Sequence, residues 1–456
     1  MYPGIGIGIN RSTAGGFDSS AQAYFSALSG AGFPLEPSEQ IYVNRLVTDL
    51  KAAGLWSKMK AIYPMVSSQR NLLNYSNMFD SAFWTKNNSN VIADPITTPT
   101  GQQGYFWSDD PVNTQHRLYI SETTNNIITA SIYVKYLNRQ YFGIRLYNTL
   151  GTKYSLRLFD IQNGTLGASL DSGITSTATI TSVGSGWYRI TLKTNAVIDN
   201  SNLLFFMSNS NTITDAGGTT YSGNGSGFYI SSAQLELSNT ATVYQNVTGV
   251  AQSIFVDQFK FNLKDPRNLN AAYRLLWTGG WVYSNTGALP NGTNAYADTS
   301  YNESVDGVLS NEHISYYSKT SGAINAVMGA SSGANETNIY PNLGGTFYFR
   351  VQKTNSGVAT VLDSKAFFIA NRTDANTVSG FRNEVKSSLS SLVGSSVARN
   401  IYIGGNNDVL GTSYTNALCA FSSIGLGLTD TEASNFYTIV QRFQTSLGRQ
   451  EGLPQV

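Results

Sequence analysis

Side chains that commonly catalyse reactions or bind metals are scarce in this 456-residue chain. The two histidines, His116 and His313, stand far apart in strand-like stretches. The single cysteine, Cys419, lies in an apolar run that is typical of a buried strand, so we expect it to pack in a core. Zinc sites and activated nucleophiles need such residues in clusters. The sequence therefore predicts no metal, no cofactor and no catalytic residue.

Acidic residues offer one other route to catalysis, because glycoside hydrolysis needs only two carboxylates. Asp109 and Asp110 precede a proline, and Glu303 and Asp306 stand in an Asn-, Ser- and Gly-rich context. Both pairs are typical of turns. The sequence contains no run of acidic residues at alternate positions, which would place several carboxylates on one face of a strand. A protein that is not an enzyme is favoured, and a polysaccharide depolymerase is an open alternative.

Two stretches rich in aromatic residues could bind a sugar without cleaving it. Aromatic faces stack on the C–H surfaces of pyranoses, while carboxylate, amide and hydroxyl groups bond to the sugar hydroxyls. The first stretch has this mixture in a predicted loop, and the second lies around the following strands. The predicted glycan-binding residues are Tyr105, Trp107, Asp109, Tyr141, Arg145 and Tyr147. Ordinary packing inside a β-sandwich is the alternative interpretation of each.

The composition argues against several classes of partner. Charged residues make up 12% of the chain and the formal net charge is +1, so no basic field would attract nucleic acid. No run approaches the roughly 18 apolar residues of a membrane span, and the N-terminus lacks the pattern of a signal peptide. We expect no nucleic acid binding, no membrane insertion and no export through a signal peptide.

Helical periodicity occurs near both ends of the chain. Apolar residues at spacings of three and four predict helices over 19–28 and 38–53. Thr429–Glu432 has the pattern of a capping box, and an apolar helix face follows it until Gly448. We expect these helices to flank the rest of the fold.

Strand patterns fill most of the sequence between these helices. Apolar and polar residues alternate over 128–136, 188–192 and 347–351, and Gly- and Asn-rich turns separate such runs. Aromatic residues reach 12%, which suits strands and argues against disorder. The predicted fold class is mainly β, with two β-sandwich (jelly-roll) domains and a few short flanking α-helices.

Residues 1–17 form a glycine-rich segment in which Ile5, Ile7 and Ile9 alternate with glycine. Such a segment cannot build a core by itself. We predict an attachment arm that becomes ordered on a neighbouring subunit or a larger particle, and a frayed terminus is the alternative.

Short blocks of residues follow one another in a recognisable order between Asn71 and Gly249. The blocks are Asn71–Leu73, Ser76, Phe79, Trp84 and Thr85; Ala130–Lys135; Gly186–Arg189; and Ala233–Glu236 with Ala241, Thr242 and Tyr244. This stretch resembles a carbohydrate-binding-module-like jelly-roll domain that is common in bacteriophage structural proteins. The resemblance implies a glycan-binding sandwich, in which we expect Trp84 and Trp187 to be core residues.

A second set of blocks extends from Phe259 to Arg449. The blocks are Phe261–Pro266, Gly279–Trp281, Ala288–Thr293, Ala297–Thr299, Tyr402–Gly404, Phe421–Gly425 and Gly427–Ala433. They resemble a concanavalin-like sandwich of phage proteins. In that family a segment like Trp56–Pro64 is normally followed within a few residues by a block like Phe261–Pro266, whereas about 195 residues separate them here.

The jelly-roll domain is therefore predicted to be inserted in a loop of the lectin-like domain. The ends of a sandwich often lie close together, and exposed loops tolerate such insertions. The predicted boundaries are 1–17 for the arm, 18–69 with 250–449 for the lectin-like domain, 70–249 for the inserted jelly roll and 450–456 for a tail.

The two resemblances imply a non-enzymatic phage virion structural protein, such as a head or tail fibre, a decoration protein or a neck component, that displays glycan-binding sandwiches for host attachment. Its expected partners are other virion proteins of the capsid, portal, neck or tail and the host surface polysaccharide. By analogy with phage fibres we expect a homotrimer, assembled in the host cytoplasm and located in the virion. A virion connector that binds no glycan is the structural alternative.

Overall fold

The computed structural model describes residues 16–120, 127–198, 201–237, 240–249, 251–353 and 356–451. The predicted attachment residues Ile5, Ile7 and Ile9 and most of the predicted tail lie outside the described residues. The chain divides into two compact units. The first unit combines the residues up to Ser68 with those from Val256 onward, and the second unit is Gln69–Phe255.

Helices occur near both ends of the described chain and at two places between. They are α1 (Ser19–Gly30), α2 (Pro37–Ala52), α3 (Ala251–Phe259), α4 (Glu303–Asp306) and α5 (Asp430–Ser446). The expected capping box is present at the start of α5, where the Thr429 side chain accepts a bond from the backbone N–H of Glu432 and the Glu432 side chain accepts one from the backbone N–H of Thr429.

Strands make up most of both units. The first unit begins with β1 (Met59–Tyr63). The strands of the second unit are β2 (Trp84–Asn87), β3 (Ser89–Asp94), β4 (Gly104–Asp109), β5 (Asn113–Thr114), β6 (Arg117–Ile120), β7 (Ile127–Tyr136), β8 (Tyr141–Asn148), β9 (Tyr154–Asp160), β10 (Thr165–Ser172), β11 (Ser176–Gly184), β12 (Trp187–Ile198), β13 (Ser201–Ser208), β14 (Tyr221–Ser222) and β15 (Gly227–Glu236).

The first unit continues after the second with the remaining strands. They are β16 (Leu276–Thr278), β17 (Trp281–Ser284), β18 (Gly287–Pro290), β19 (Tyr296–Asn302), β20 (Glu312–Ser318), β21 (Met328–Ser332), β22 (Asn335–Leu343), β23 (Thr346–Arg350), β24 (Gly357–Thr360), β25 (Ala366–Arg372), β26 (Thr377–Arg382), β27 (Val385–Ser390), β28 (Asn400–Ile403), β29 (Gly405–Asp408), β30 (Ser413–Tyr414) and β31 (Cys419–Gly425).

The first unit has two large sheets. One has the order β17-β18-β31-β20-β25-β26-β27 with β1 beside β31, and the other has the order β16-β19-β28-β21-β22-β23-β24. Phe347 of β23 and Phe368 of β25 contact each other between the sheets, with ring centres 5.0 Å apart. Helices α1, α2 and α5 share a core with the first sheet, where Phe436 lies 5.3 Å from Phe367.

The second unit is a sandwich of two six-stranded antiparallel sheets. One sheet has the order β10-β9-β8-β13-β6-β2 and the other β11-β12-β7-β15-β4-β3. Trp107 of β4 contacts Phe142 of β8 between them, with ring centres 5.5 Å apart. Trp84 and Trp187 are each 1% exposed, so both are core residues as predicted. The predicted mainly β class, with sandwiches and few helices, is confirmed.

The residues that could have carried metal or thiol chemistry are buried and engaged in the fold. Cys419 is fully buried at the start of β31, as predicted. Nδ1 of His116 lies 2.6 Å from the carbonyl oxygen of Asn88, and Nδ1 of His313 lies 2.7 Å from that of Leu426. Over the described ranges, no group of three or more His, Cys, Asp or Glu residues could hold a metal ion. None of the helices in those ranges has the length and apolar character needed to cross a membrane.

Candidate functional site

The first predicted glycan-binding stretch is a strand rather than an exposed loop, so that prediction needs correction. Tyr105 and Trp107 lie on β4, and only 4% and 0% of them are exposed. Because successive side chains of a strand point to opposite faces, these two alternate residues both face the other sheet. A ring enclosed in the core has no face available for a sugar, and the packing interpretation holds for both.

Asp109 is also buried, and it anchors a loop of the second unit. Its carboxylate pairs with Arg139 and accepts a bond from the Tyr221 hydroxyl at 2.9 Å. The backbone N–H groups of Asn224 and Gly225 each donate to Asp109 Oδ1 at 2.8 Å. The Arg139 guanidinium lies 4.9 Å from the centre of the Tyr221 ring. Every charged group in this network has a partner, so Asp109 is a structural residue and not the sugar ligand that we expected.

The second predicted stretch lies on one surface. Tyr141, Arg145 and Tyr147 are at alternate positions of β8, and all three are half-buried on the outer face of their sheet. The inner face of the same strand carries Phe142 and Ile144, which are fully buried. The alternation of the strand therefore separates a core face from a face that solvent can reach.

Neighbouring strands extend this surface with residues that the sequence analysis missed. Tyr154 of β9 is the register partner of Tyr147, and Arg117 and Tyr119 of β6 point to the same side. The Arg145 guanidinium lies 3.9 Å from the centre of the Tyr147 ring and 5.6 Å from that of Tyr154. We call this surface the Tyr–Arg face and define it as Arg117, Tyr119, Arg145, Tyr147 and Tyr154.

A small apolar cluster supports the Tyr–Arg face from below. It consists of the buried side chains Leu156, Leu158, Leu204 and Phe206, on which Tyr119, Tyr141, Tyr147 and Tyr154 pack. Gly143 makes room for this cluster, because a Cβ at that position would come within 2.2 Å of the Phe206 ring. The tyrosine rings are thus held in place by packing while part of each remains accessible, which is the arrangement that a stacking ligand needs.

In the described part of the chain, neither arginine of the face forms an ion pair. Burial lowers the pKa of Arg117 and Arg145 from the usual value of a guanidinium. The positive charge of Arg117 lowers the pKa of Arg145 further, while the negative charge of Asp215 partly offsets the shift of both arginines. Guanidinium groups nevertheless stay protonated in proteins. Within the part of the chain that the structure describes, neither guanidinium has a hydrogen-bond or ion-pair partner, and the Nε atom of each is shielded from solvent.

One competing site in this unit is a cavity on the outer face of the opposite sheet. It has a volume of about 490 Å³ and is lined by Thr129, Thr177, Thr179, Thr181, Val183, Arg189, Thr191, Lys193, Thr240 and Ala241. Hydroxyl groups could bond to a sugar there, but the lining contains no aromatic ring. The Tyr–Arg face offers both stacking surfaces and charge, so we regard it as the stronger site.

Glu303 and Asp306 lie on a short helix instead of in the predicted turn, and Glu303 forms a buried pair with Glu312 rather than with Asp306. Glu303 begins the short helix α4, and Glu303 and Glu312 are each 1% exposed. Glu303 accepts bonds from the Thr337 hydroxyl at 2.5 Å and the Val397 N–H at 2.6 Å, while Gln352 donates to Glu312 at 3.0 Å. Burial raises the pKa of both carboxyl groups, and the proximity of Glu303 raises that of Glu312 further.

Comparisons with known proteins give only remote structural likenesses. No family model matches the chain, and no curated protein matches it significantly. Domains LG4–5 of the mouse laminin α1 chain align with 69% of this chain and 91% of their own length, at 9% identity and a TM-score of 0.22. A Trypanosoma rangeli sialidase mutant displaying trans-sialidase activity aligns over 75% of this chain and 61% of its own, at 8% identity and a TM-score of 0.28. The LG1–3 region of the laminin α2 chain aligns over 70% and 68%, at 11% identity and a TM-score of 0.23. Likenesses at this level assign no function.

Proposed function

We propose that the second unit is a glycan-binding module and that its ligand stacks on the Tyr–Arg face. One observation carries this proposal: three half-exposed tyrosines and two arginines lie on a single sheet face, above an apolar cluster that is separate from the main core. Tyr147 and Tyr154 supply ring surfaces, and Arg117 and Arg145 supply donors that sugar oxygens can accept.

The wider role that we propose is host attachment by a phage virion structural protein without catalytic activity. The support is the resemblance of residues 71–249 and 259–449 to phage structural domains. In this proposal the virion holds several copies, in a homotrimer attached through Ile5, Ile7 and Ile9 to other virion proteins. Weak binding of one glycan by each copy would then be strengthened by multivalency.

The test is a glycan array probed with the full-length chain and two single-tyrosine variants. Tyr147→Ala removes the ring under Arg145, and we expect it to weaken binding of any recognised glycan by at least tenfold. Tyr133→Ala is the matched control, because Tyr133 is a half-buried tyrosine next to an arginine on the opposite sheet, with 5.5 Å between the Arg189 guanidinium and the ring centre.

Each outcome of this experiment decides between the alternatives. Equal loss in both variants would contradict the proposal. Loss only in Tyr133→Ala would also contradict it and would place the site on the opposite sheet. No binding to any array glycan at millimolar concentration would favour the connector that binds no glycan. Release of reducing ends from host polysaccharide would instead support a depolymerase.

A further inference from the structure

Among the described residues, four arginines lie over tyrosine rings, and only one of the four has no hydrogen-bonding partner there. Arg139 lies over Tyr221 and pairs with Asp109. Arg350 lies over the rings of Tyr340 and Tyr348 and forms an ion pair with Glu336, with 2.9 Å between its Nη1 and a carboxylate oxygen.

Arg189 and Arg145 complete the set and differ from each other. Arg189 lies over Tyr133 and donates to the Ser131 hydroxyl at 3.0 Å and to the backbone carbonyl of Thr242. Arg145 stacks more closely than any of the other three, at 3.9 Å, yet nothing in the described chain accepts a bond from its guanidinium. The fold elsewhere satisfies such arginines, so the missing acceptor at Arg145 marks a place for an external one.

Arg117 is close enough to contribute to the same acceptor. Arg145 is the register partner of Leu204 on one side of β13, and Arg117 is the partner of Phe206 on the other side. Strand spacing and rise place the two Cα atoms about 12 Å apart, within the combined reach of two arginine side chains. The two positive groups would repel each other, so an anion between them would relieve repulsion as well as form hydrogen bonds.

The nearby carboxylate does not neutralise the pair. Asp215 lies close enough for its charge to act on Arg117 and Arg145. Its two oxygens, however, accept bonds from Gln115 at 2.8 and 2.9 Å, and it forms no ion pair with either arginine in the described part of the chain. The face therefore carries two positive charges against one incompletely paired negative charge.

We propose that the Tyr–Arg face selects sugars that carry a carboxylate. The carboxylate lies between the guanidiniums of Arg117 and Arg145, whose planar donors match its two oxygens, while the sugar ring stacks on Tyr147 and Tyr154. This inference rests on the proposed glycan-binding function and names the class of sugar that the site takes.

The experiment uses the full-length chain and an array of matched oligosaccharides. Each carboxylate-bearing oligosaccharide is printed beside its carboxyl-reduced neutral form and beside a sulfated form of that neutral sugar. We expect the acidic member to bind at least tenfold more tightly than the neutral one, and its binding to weaken as salt concentration rises. Preference for the sulfated member over the carboxylate would overturn the assignment to a carboxylate.

Arginine variants distinguish the contribution of positive charge to sugar binding from that of the paired guanidinium donors. Arg145→Met and Arg117→Met should each weaken binding of the acidic sugar at least tenfold, and Arg145→Lys should recover only part of that loss because an ammonium lacks the paired donors. Arg189→Met, on the opposite sheet, is the control and should bind as the unmodified chain does. Thermal unfolding of every variant shows whether it is folded.

Failure of this inference is distinguishable from failure of the proposed function. If acidic and neutral sugars bind equally and both depend on Tyr147, the face binds glycans but does not select carboxylates. If no sugar of either kind binds, the proposed function itself is wrong, and the selectivity falls with it.

Discussion

Arg139 and Arg145 stand six positions apart in the second unit, and both lie over a tyrosine ring, yet their surroundings are opposite. Arg139 is buried with the carboxylate of Asp109, and the same network fixes the loop at Asn224. Arg145 is half-exposed and has no acceptor within the described residues. An arginine stacked on a tyrosine can therefore stabilise the fold when a carboxylate of the chain pairs with it, and can bind a ligand when no such carboxylate is present.

Removing the internally paired arginine should have the largest effect on stability. Arg139→Met leaves the buried carboxylate of Asp109 without its cation, and we expect the free energy of unfolding to fall by about 3 kcal/mol. Urea denaturation of the full-length chain measures this. Arg442→Met is the control, because Arg442 pairs with Asp49 near the surface at 2.8 Å and such a pair contributes less than about 1 kcal/mol. Equal losses in the two variants would remove the distinction between the buried and exposed pairs.

Glu303 and Glu312 are buried acidic groups of the first unit, and like Arg145 they have no ion-pair partner among the described residues. Burial raises the pKa of Glu312 in the folded state above its value in the unfolded chain. The protonated carboxyl therefore contributes fully to the free energy of unfolding below the unfolded-state pKa, and this contribution is lost as pH rises through the folded-state pKa. Glu312→Gln mimics the protonated acid and should become more stable than the unmodified chain as pH rises, and equally stable at low pH. Thermal unfolding between pH 4 and pH 9 tests this; a constant difference across that range would show that Glu312 does not hold its proton.

Removing the unpaired arginine should have little effect on stability and a large one on binding. Arg145→Met loses the stacking of a cation on Tyr147 but also relieves a desolvated charge, so we expect the free energy of unfolding to change by less than about 1 kcal/mol. Urea denaturation alongside Arg139→Met makes the comparison direct. A loss as large as that of Arg139→Met would mean that Arg145 is structural too.

A carboxylate introduced beside Arg145 should give this arginine an ion-pair partner, as Asp109 does for Arg139. Asn202 of β13 is the register partner of Tyr147 and lies diagonally beside Arg145 on the same face. Asn202→Asp should stabilise the chain by about 0.5 kcal/mol and weaken binding of acidic sugars, because the new carboxylate competes for the guanidinium. Binding of acidic and neutral sugars by this variant measures the effect, and unchanged binding of acidic sugars would place their carboxylate elsewhere.

Local patterns were enough to predict several elements of this fold. The alternation at 128–136 and 188–192 predicted β7 and β12, and the capping box at Thr429 predicted the start of α5, because these signals depend on neighbouring residues alone. The burial of Cys419 followed from its apolar run in the same way.

Which face of a strand is buried could not be predicted from local patterns. Tyr105, Trp107 and Asp109 lie on the face of their strand that points into the core. Tyr141, Arg145 and Tyr147 lie on the outer face of theirs, although both stretches combine aromatic and charged residues. Strand pairing decides between them. It also brings Arg117, Tyr119 and Tyr154 beside Arg145, and no sequence spacing shows such a register.

The most direct test of the account is the affinity of Tyr147→Ala and Tyr133→Ala for one carboxylate-bearing oligosaccharide that the full-length chain recognises, measured by titration calorimetry. We expect at least tenfold weaker binding for Tyr147→Ala and a change of less than about twofold for Tyr133→Ala, which is a difference of about 1 kcal/mol or more in binding free energy. Unchanged affinity in Tyr147→Ala would contradict the claim that the Tyr–Arg face is the binding surface.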